Sequence, residues 1–322
     1  MTGPGQPADR PQIGIIGAGS IGTGFAIVFA AAGFAVRLHD PDAARCAVAL
    51  DEIAARAKDL AAFELLRETP GVLVGRVTVA ASLEDAVRAA VLVQECAPEQ
   101  ALLKRALFAE LTRLAPADAI LASASSALPA SSFAADLAGR ERCLVAHPGN
   151  PPYLIPVIEI VPAPFTDRAV ADRAAELFRS AGLAPVRVAK EVEGFVFNRL
   201  QGAVLREAYC LVRDGVASVE DIDRVVRDGL GLRWSVIGPF ETVDLNTRGG
   251  IASHAQKMGP AYERMGAERG QHDPWTPELV AQVAAARREA LPLAEWGERV
   301  AWRDRALMRL VRDRRRGTEE TA

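Results

Sequence analysis

The segment Gln12–Gly22 reads QIGIIGAGSIG and decides the fold of this chain. Its apolar first part, Gln12–Ile16, predicts a short strand, and a G-x-G-x-x-G pattern then opens a long apolar helix over about 21–32. In such a turn the first glycine allows a tight bend, the second lets the backbone approach a pyrophosphate, and the third permits close packing of helix on strand. A turn that needs glycine only for a positive φ is the alternative. The predicted phosphate-binding residues are Gly17, Ala18, Gly19, Ser20, Ile21 and Gly22.

An acidic residue at the end of the second predicted strand favours one dinucleotide. Ala35–His39 predicts that strand, and Asp40 follows it, eighteen residues after the last glycine of the motif. A carboxylate at this position accepts hydrogen bonds from the adenosine ribose hydroxyls. Pro41–Asp42 offers no cation for a 2′-phosphate, so NAD is favoured over NADP, although Arg45 lies one helical turn further on. Asp40 as a helix N-cap is the alternative, and that role is compatible with ribose binding.

Strand and helix signals alternate through the first half of the chain and then become almost wholly helical. The further predicted strands lie near 77–79, 91–95, 119–122, 143–146, 157–161 and 185–188. The later predicted helices are 195–213, 218–229, 239–247, 251–268, 276–290 and 293–315. The predicted fold class is α/β, with an N-terminal Rossmann-type, doubly wound parallel sheet followed by an all-α C-terminal domain. The predicted domains are a disordered leader over 1–11, an NAD-binding domain over 12–190 and a helical substrate and dimerisation domain over 191–322.

Composition excludes several classes of function. The 322 residues are 50% hydrophobic with a net charge of −3, which predicts a soluble globular protein and argues against a nucleic-acid partner despite the arginines of 312–316. No apolar run approaches the roughly 20 residues that cross a bilayer, and the start lacks a signal-peptide core, so no membrane partner and a cytoplasmic location are predicted. The cysteines show no metal-ligand spacing, so neither disulfide nor metal is predicted; they are Cys46, Cys96, Cys143 and Cys210.

One imidazole and one carboxylate form a candidate acid–base pair. Glu159 lies inside the apolar segment Val157–Val161, where a carboxylate without a partner would carry a large desolvation penalty. His147 leaves the preceding predicted strand and is the nearest candidate partner. A buried pair of this kind makes a good general base, although a lone histidine after a strand is more often structural.

Several segments, taken in order, resemble the 3-hydroxyacyl-CoA dehydrogenase superfamily. Besides the glycine turn they are ASASSAL (122–128), HPGNP (147–151), Glu159 and GFVFNRL (194–200). Within that superfamily the chain is most similar to the lambda-crystallin, or L-gulonate 3-dehydrogenase, branch through NPPYLIP (150–156), DGLGLRW (228–234), IGPFET (237–242) and DLN (244–246). The resemblance covers about 12–311 and implies oxidation of a 3-hydroxy substrate by NAD, with a homodimer formed through the helical domain.

The resemblance also implies an active site of four residues. These are Ser126, His147, Glu159 and Asn198: His147 takes the proton of the substrate hydroxyl, Glu159 orients and stabilises the imidazole, and the other two donate to the reacting oxygen. Ser123 or Ser125 would touch the cofactor.

The same resemblance places Glu99 and Lys104 near the nicotinamide ribose, for which a solvated pair of charges is the alternative reading. The predicted substrate-binding residues are Ser126, Asn150, Asn198 and Arg233.

Two departures from CoA-using relatives favour a small free acid. Residues 41–75 hold a single lysine, Lys58, and several acids, which suits a polyanionic CoA poorly. HPGNP replaces an aromatic-rich pattern, so Gly149 is expected to open space beside the base. Arg233 is predicted to clamp the substrate carboxylate, with a role at a helix C-terminus as the alternative.

The sequence leaves several functions open. L-Gulonate 3-dehydrogenase-like activity is the first reading, and L-carnitine dehydrogenase is the second, with Trp234 available for a cation–π contact to a quaternary ammonium. 3-Hydroxybutyryl-CoA dehydrogenase is a third. A non-catalytic, NAD-binding crystallin-like protein is the fourth, against which the intact four-residue site argues.

Overall fold

The computed structural model describes residues 11–246, 250–269, 276–278, 281, 282, 285, 289 and 292–319. The predicted leader therefore lies outside the described residues except for its last residue, and so does much of the predicted helix 276–290. The predicted fold class is confirmed: a mostly parallel sheet with helices comes first, and helices alone follow it.

Eight strands form one sheet in the order β3-β2-β1-β4-β5-β6-β7-β8. The strands are β1 (Gln12–Ile16), β2 (Ala35–His39), β3 (Val77–Val79), β4 (Ala90–Glu95), β5 (Ile120–Ser123), β6 (Cys143–Pro148), β7 (Val157–Pro162) and β8 (Ala184–Arg187). The first six are mutually parallel, and the chain reverses its direction across the sheet between β1 and β4. Ligands of such sheets bind outside the carboxyl ends of the strands at this point.

The sheet is not parallel throughout, which corrects the sequence-based expectation. β7 runs antiparallel to β6, and β8 is parallel to β7. Only the residues between Pro148 and Val157 join β6 to β7, and a parallel crossover needs a dozen or more residues. The connection is therefore too short to carry the chain back to the other end of the sheet.

The helices cover both faces of the sheet and then continue alone. They are α1 (Ser20–Ala31), α2 (Ala43–Ala62), α3 (Pro70–Gly75), α4 (Leu83–Val87), α5 (Ala101–Leu114), α6 (Ser131–Ala134), α7 (Arg168–Ser180), α8 (Phe197–Arg213), α9 (Val219–Arg224), α10 (Gly231–Trp234), α11 (Pro239–Asn246), α12 (Gly250–Arg269) and α13 (Trp296–Glu319). Short 3-10 turns occupy Arg140–Arg142 and Leu293–Glu295, and a π-helical turn occupies Val225–Leu230. The single helix predicted over 218–229 is thus the α-helix α9 followed by that turn.

Aromatic side chains fill the two layers beside the sheet. On one face Phe25 and Phe29 of α1 pack against Phe178 of α7, with ring centroids 6.2 and 5.8 Å from it. On the other face Phe108 of α5 meets Phe133 of α6 at 4.7 Å. All five rings are buried, and each such ring removes a large apolar area from water. These layers fix α1 and α5 against the strands whose ends carry the candidate site.

The chain divides into two compact units. One runs through Arg199 and takes up the segment from Ala301, and the other is Leu200–Val300. The last segment joins the first unit because Met308 of α13 is buried in its core, with Leu307 packed beside it. The predicted domain boundary at residue 190 stays a prediction, since compactness divides the chain after Arg199 instead.

Three further features bear on the sequence-based expectations. No helix among the described residues is long and apolar enough to cross a membrane, and a cytoplasmic location stays a prediction. In the same residues no three His, Cys, Asp or Glu side chains gather as metal ligands would. None of the four cysteines, all of which are described, forms a disulfide, and burial raises the pKa of the Cys143 thiol to about 12.

Candidate active site

The turn after β1 has the shape that a dinucleotide pyrophosphate requires. Gly17 has a φ of +105°, and a Cβ there would lie 2.7 Å from the carbonyl oxygen of Cys96. A Cβ on Gly22 would overlap the carbonyl of Gly17. Both positions therefore accept only glycine. Gly19 precedes the first turn of α1 and has no side chain to cap it, so the N–H groups of that turn are open to an anion.

Asp40 is held in place by the backbone on both sides. Its Oδ2 accepts the N–H of Ala18 at 2.8 Å, and its Oδ1 accepts the N–H of Asp42 at 3.0 Å. The helix α2 is instead capped by Asp42, whose Oδ1 accepts the N–H of Ala44 at 2.9 Å, so Asp40 is not the N-cap. Each Asp40 oxygen keeps a lone pair for a ribose hydroxyl. The turn and Asp40 together fit a bound NAD.

His147 and Glu159 are direct neighbours across the antiparallel pair β6 and β7. Nδ1 of His147 lies 2.8 Å from Oε2 of Glu159, and their residues are only 7% and 1% exposed. Burial alone would raise the pKa of Glu159, but hydrogen bonds from His147, Phe197 and Val196 outweigh it and lower the pKa below its ordinary value. Glu159 is therefore ionised at neutral pH and can only accept hydrogen bonds.

The ionised carboxylate fixes which imidazole nitrogen carries the proton. Because Glu159 only accepts, Nδ1 of His147 must donate to it. In the neutral imidazole Nε2 then keeps its lone pair and is ready to receive a proton. The rings of Phe195 and Phe197 flank the imidazole, with centroids 5.8 and 6.1 Å away.

The start of α8, the helix that carries Asn198, is hydrogen-bonded to Glu159. Gly194 and Phe195 have φ values of +73° and +48°, a left-handed turn that is costly for phenylalanine. The turn aims the N–H groups of Val196 and Phe197 at Oε1 of Glu159, at 2.7 and 3.0 Å. Glu159 thus also caps a helix N-terminus, where a negative charge is stabilised.

Asn198 and Ser126 are in contact. Nδ2 of Asn198 donates to the backbone carbonyl of Ser126 at 3.0 Å, which leaves the second N–H of this amide free of that bond. Ser126 is exposed, and its hydroxyl has no partner among the residues that the structure describes. Hydrogen bonds and the backbone at the start of α8 therefore connect the four sequence-predicted residues, while their catalytic roles stay predictions.

The other serines of this segment are engaged elsewhere. Ser123 is buried and donates to Oε2 of Glu95 at 2.5 Å. Ser125 is buried and donates to Oε1 of Glu99 at 2.6 Å. Their hydroxyls hold the turn together, and Ser126 alone of the three presents its side chain to solvent.

Lys104 is not a solvated charge, so that alternative reading is wrong. Its ammonium, on a residue only 1% exposed, lies 2.8 and 2.9 Å from the two carboxylate oxygens of Glu95. It also donates to the carbonyl of Ala97 at 3.2 Å. Glu95 was not predicted as the partner of Lys104, although an acid that ends an apolar strand nine residues before a lysine is a signal for such a pair. A direct cofactor contact by Lys104 or Glu99 stays a prediction.

Gly149 does not open space beside the base. A Cβ at this position would overlap the side chain of Ile155, so Ile155 already fills that space. The neighbouring Asn150 is exposed, and its proposed contact with substrate stays a prediction. The expectation failed because the sequence could not show that the loop 149–156 folds back on itself, with the N–H of Gly149 bonded to the carbonyl of Val157 at 2.8 Å.

Arg233 belongs to the other compact unit. It lies with Trp234 on the four-residue helix α10, directly after the π-helical turn. Both side chains are exposed, and the Arg233 guanidinium has no partner among the described residues. It also lies in the last turn of its helix, so the dipole reading and the carboxylate-clamp reading both remain open.

Two family models match this chain in succession. The model of the 3-hydroxyacyl-CoA dehydrogenase NAD binding domain matches residues 12–192, and that of the 3-hydroxyacyl-CoA dehydrogenase C-terminal domain matches residues 194–292. Together they span the whole sheet and the helices after it, except the last one, α13.

Known proteins resemble the chain along most of its length. It is 39% identical to the lambda-crystallin homolog of Bos taurus over 97% of this chain and 98% of that protein. It is 38% identical to L-carnitine dehydrogenase of Streptomyces griseus over 96% and 91% of the two chains. Among solved structures, the NAD⁺-dependent 5-formyl-3-hydroxy-2-methylpyridine 4-carboxylic acid 5-dehydrogenase superposes with a TM-score of 0.73 at 31% identity, covering 86% of this chain and 87% of that one.

Proposed function

The chain belongs to the 3-hydroxyacyl-CoA dehydrogenase family, and on that premise we propose that it oxidises the 3-hydroxyl of a small free hydroxy acid, as L-gulonate 3-dehydrogenase does. It is an NAD-dependent oxidoreductase acting on CH–OH donors. The observation that carries the proposal is the buried hydrogen bond between His147 Nδ1 and Glu159, which leaves Nε2 ready to accept a proton.

In the proposed mechanism His147 acts as the general base. Its Nε2 removes the proton of the substrate hydroxyl while the carbon that bears this hydroxyl loses a hydride. The imidazolium that forms is stabilised by the ionised Glu159, which also keeps the ring from rotating. When bound, NAD supplies the hydride acceptor.

Two donors are proposed to stabilise the oxygen that becomes a carbonyl. The bond between Asn198 and Ser126 uses one N–H of the Asn198 amide and the backbone carbonyl of Ser126. It therefore occupies neither the second N–H of Asn198 nor the hydroxyl of Ser126. Donors fixed before the reaction stabilise developing negative charge without reorganisation, and losing one such donor typically costs about 10²–10³ in kcat.

A free acid is favoured over a CoA ester by the charge near the cofactor turn. Residues 41–75 contain six acids and four cations, and one of those cations, Arg56, is already paired with Glu52 at 2.8 Å. A CoA carries several phosphate charges that need Lys or Arg partners. The relatives named for L-carnitine and for a pyridine carboxylic acid are likewise named for free acids.

A second candidate, L-carnitine dehydrogenase, is favoured by one observation. Trp234 is partly exposed and directly follows Arg233, whose guanidinium has no partner within the part of the chain that the structure describes. An aromatic face and a guanidinium together would recognise a quaternary ammonium and a carboxylate on one small molecule.

A substrate panel separates these candidates. NADH formation is measured in parallel with L-gulonate, L-carnitine, D,L-3-hydroxybutyrate and 3-hydroxybutyryl-CoA. We expect the highest kcat/KM with L-gulonate, and a higher value with L-carnitine would select the second candidate. Preference for the CoA ester would contradict the free-acid proposal. No turnover with any of the four would favour the non-catalytic, NAD-binding role.

The carboxylate clamp has its own test. Arg233→Met is expected to raise KM for the acid about 10–100-fold, because a hydrogen bond to a charged group is lost, with little change in KM for NAD. Arg224→Met is the matched control, since Arg224 is exposed in the same unit and paired with Glu220 and Asp221. Equal effects of Arg233→Met on both KM values would reject the clamp.

We also propose a homodimer formed through the helical unit. Several of its large apolar side chains are 66–84% exposed, namely Leu232, Val236, Phe240 and Leu245. Exposed apolar patches of this kind mark association surfaces. A light-scattering mass equal to that of one chain would contradict the dimer.

A further inference from the structure

One carboxylate oxygen holds the turn that carries Ser126. Oε1 of Glu99 accepts the backbone N–H groups of Ser126, Ala127 and Leu128 at 3.1, 3.0 and 3.1 Å. The same oxygen accepts the hydroxyl of Ser125 at 2.6 Å. Three successive amides thus converge on one anionic atom, an arrangement that fixes a turn with no regular secondary structure of its own.

Glu99 is in turn held by a buried ion pair. The ammonium of Lys104 lies 3.9 Å from Oε2 of Glu99 and is bonded to both oxygens of Glu95. Glu95 and Lys104 are almost completely buried, whereas the Glu99 side chain is 40% exposed. Lys104 on α5 therefore connects Glu95, at the end of β4, to the carboxylate of Glu99. Because Lys104 is buried, its ammonium is held in a fixed position.

Glu99 is negatively charged at neutral pH. Burial raises its pKa, but the hydrogen bonds from Ser125, Ala127 and Leu128, together with the charge of Lys104, lower the pKa below its ordinary value. Hydrogen bonds to an ionised acceptor are roughly twice as strong as neutral ones.

We propose that Glu99 is a positioning residue that acts through Ser126, with the buried pair of Glu95 and Lys104 as its support. This rests on the proposed function in one respect, namely that Ser126 donates to the reacting oxygen. Ser126 is exposed and has no packing to place it, so its hydroxyl is directed by the backbone of its turn. Asn198 holds the carbonyl of Ser126, and Ser125 Oγ shares the N–H of Leu128 at 2.8 Å, but only Glu99 accepts the N–H groups of Ser126 and Ala127 among the described residues.

The competing reading is a direct contact of Glu99 with the cofactor. The two readings differ in what the loss of Glu99 changes. Loss of a cofactor contact weakens NADH binding whether or not Ser126 is present. If Glu99 instead positions Ser126, its loss leaves NADH binding unchanged. It then lowers kcat when the Ser126 hydroxyl is present and not when that hydroxyl has been removed.

The test is a double-mutant cycle on the full-length protein. Glu99→Ala and Glu99→Gln are each made alone and with Ser126→Ala, and Glu110→Gln, an exposed acid on the same helix α5, is the matched control. Glutamine keeps an oxygen that can accept from the turn, so it should restore much of what alanine loses. Steady-state kinetics, the Kd for NADH and amide hydrogen exchange over 126–128 are measured for every variant.

We expect Glu99→Ala to lower kcat about 30-fold in the presence of Ser126 and less than about threefold in the Ser126→Ala background. Exchange of the three amides should become at least about tenfold faster, while the Kd for NADH stays within about twofold. An equal rise of the Kd for NADH in both backgrounds, or unchanged exchange, would overturn the proposal. If Ser126→Ala alone leaves kcat unchanged, the proposed role of Ser126 fails, and accelerated exchange still supports Glu99 as the anchor.

Discussion

Glutamine in place of His147 is expected to lower kcat by about 10³–10⁴-fold, the upper range for loss of a general base. Glutamine is chosen because its amide can still donate to Glu159, so the buried carboxylate keeps a partner and the fold is spared. The loss should therefore be chemical. NADH formation under saturating substrate gives kcat, and NADH fluorescence titration gives the cofactor affinity.

The Kd for NADH is expected to stay within about twofold, because the predicted cofactor contacts, at the glycine turn, Asp40, Glu99 and Lys104, do not include the imidazole. His254→Gln is the matched control, since this histidine lies on α12 in the other compact unit and should leave kcat nearly unchanged. Retention of more than about a tenth of wild-type kcat in His147→Gln would remove His147 as the base.

The sequence predicted those parts of the site that are formed by residues close together in the chain. The glycine turn, Asp40 and the His147–Glu159 pair follow from residue type, strand signals and the cost of burying an unpaired carboxylate. The pair also had a signal that went unused. Eight residues between β6 and β7 are too few for a crossover, so the two strands had to be antiparallel and could face each other in register.

Long-range contacts escaped the sequence for a different reason. Glu95 and Lys104 lie in different elements, and their pairing depends on how α5 packs against the end of β4. Lysine on a helix is usually solvated, so the acid at the end of the strand nine residues earlier was only a weak signal that Lys104 is buried. The filling of the Gly149 site by Ile155 likewise depends on the path of a loop.

The contact of Glu159 with the start of α8 was equally hidden. It needs the left-handed turn at Phe195, a conformation that sequence patterns do not predict for phenylalanine. The sequence thus indicated His147 and its partner Glu159, but not that Glu159 has a second task, which is to cap the N-terminus of α8.

That second task makes Glu159→Gln the other variant with a large expected effect. The carboxylate accepts on both sides, from His147 at Oε2 and from Val196 and Phe197 at Oε1. A glutamine side chain has only one oxygen. If that oxygen faces the two amides, the NH₂ group donates to Nδ1 of His147 and forces the proton onto Nε2, which can no longer act as the base. If it faces His147, the NH₂ group meets two backbone donors and the helix loses its cap.

We therefore expect kcat to fall about 10²–10³-fold or the free energy of unfolding to fall by about 1–3 kcal/mol, with both losses in part if both orientations are populated. Steady-state kinetics and urea unfolding at pH 7 measure the two. Glu176→Gln is the matched control, because Glu176 is a highly exposed acid on α7. A variant with wild-type kcat and wild-type stability would contradict the double role of Glu159.

Acidification gives a separate check on the stability loss. The pKa of Glu159 in the folded protein lies below its ordinary value of 4.5, because the hydrogen bonds from His147, Phe197 and Val196 outweigh the effect of burial. The ionised carboxylate thus contributes stability that is fully present above pH 4.5 and is lost as the pH falls through the folded-state pKa. Glutamine cannot ionise, so the difference in unfolding free energy between wild type and variant should be largest at neutral pH and shrink below pH 4.5. A difference that stays constant across that range would mean that the stability loss comes from packing, and that the charge of Glu159 serves His147 alone.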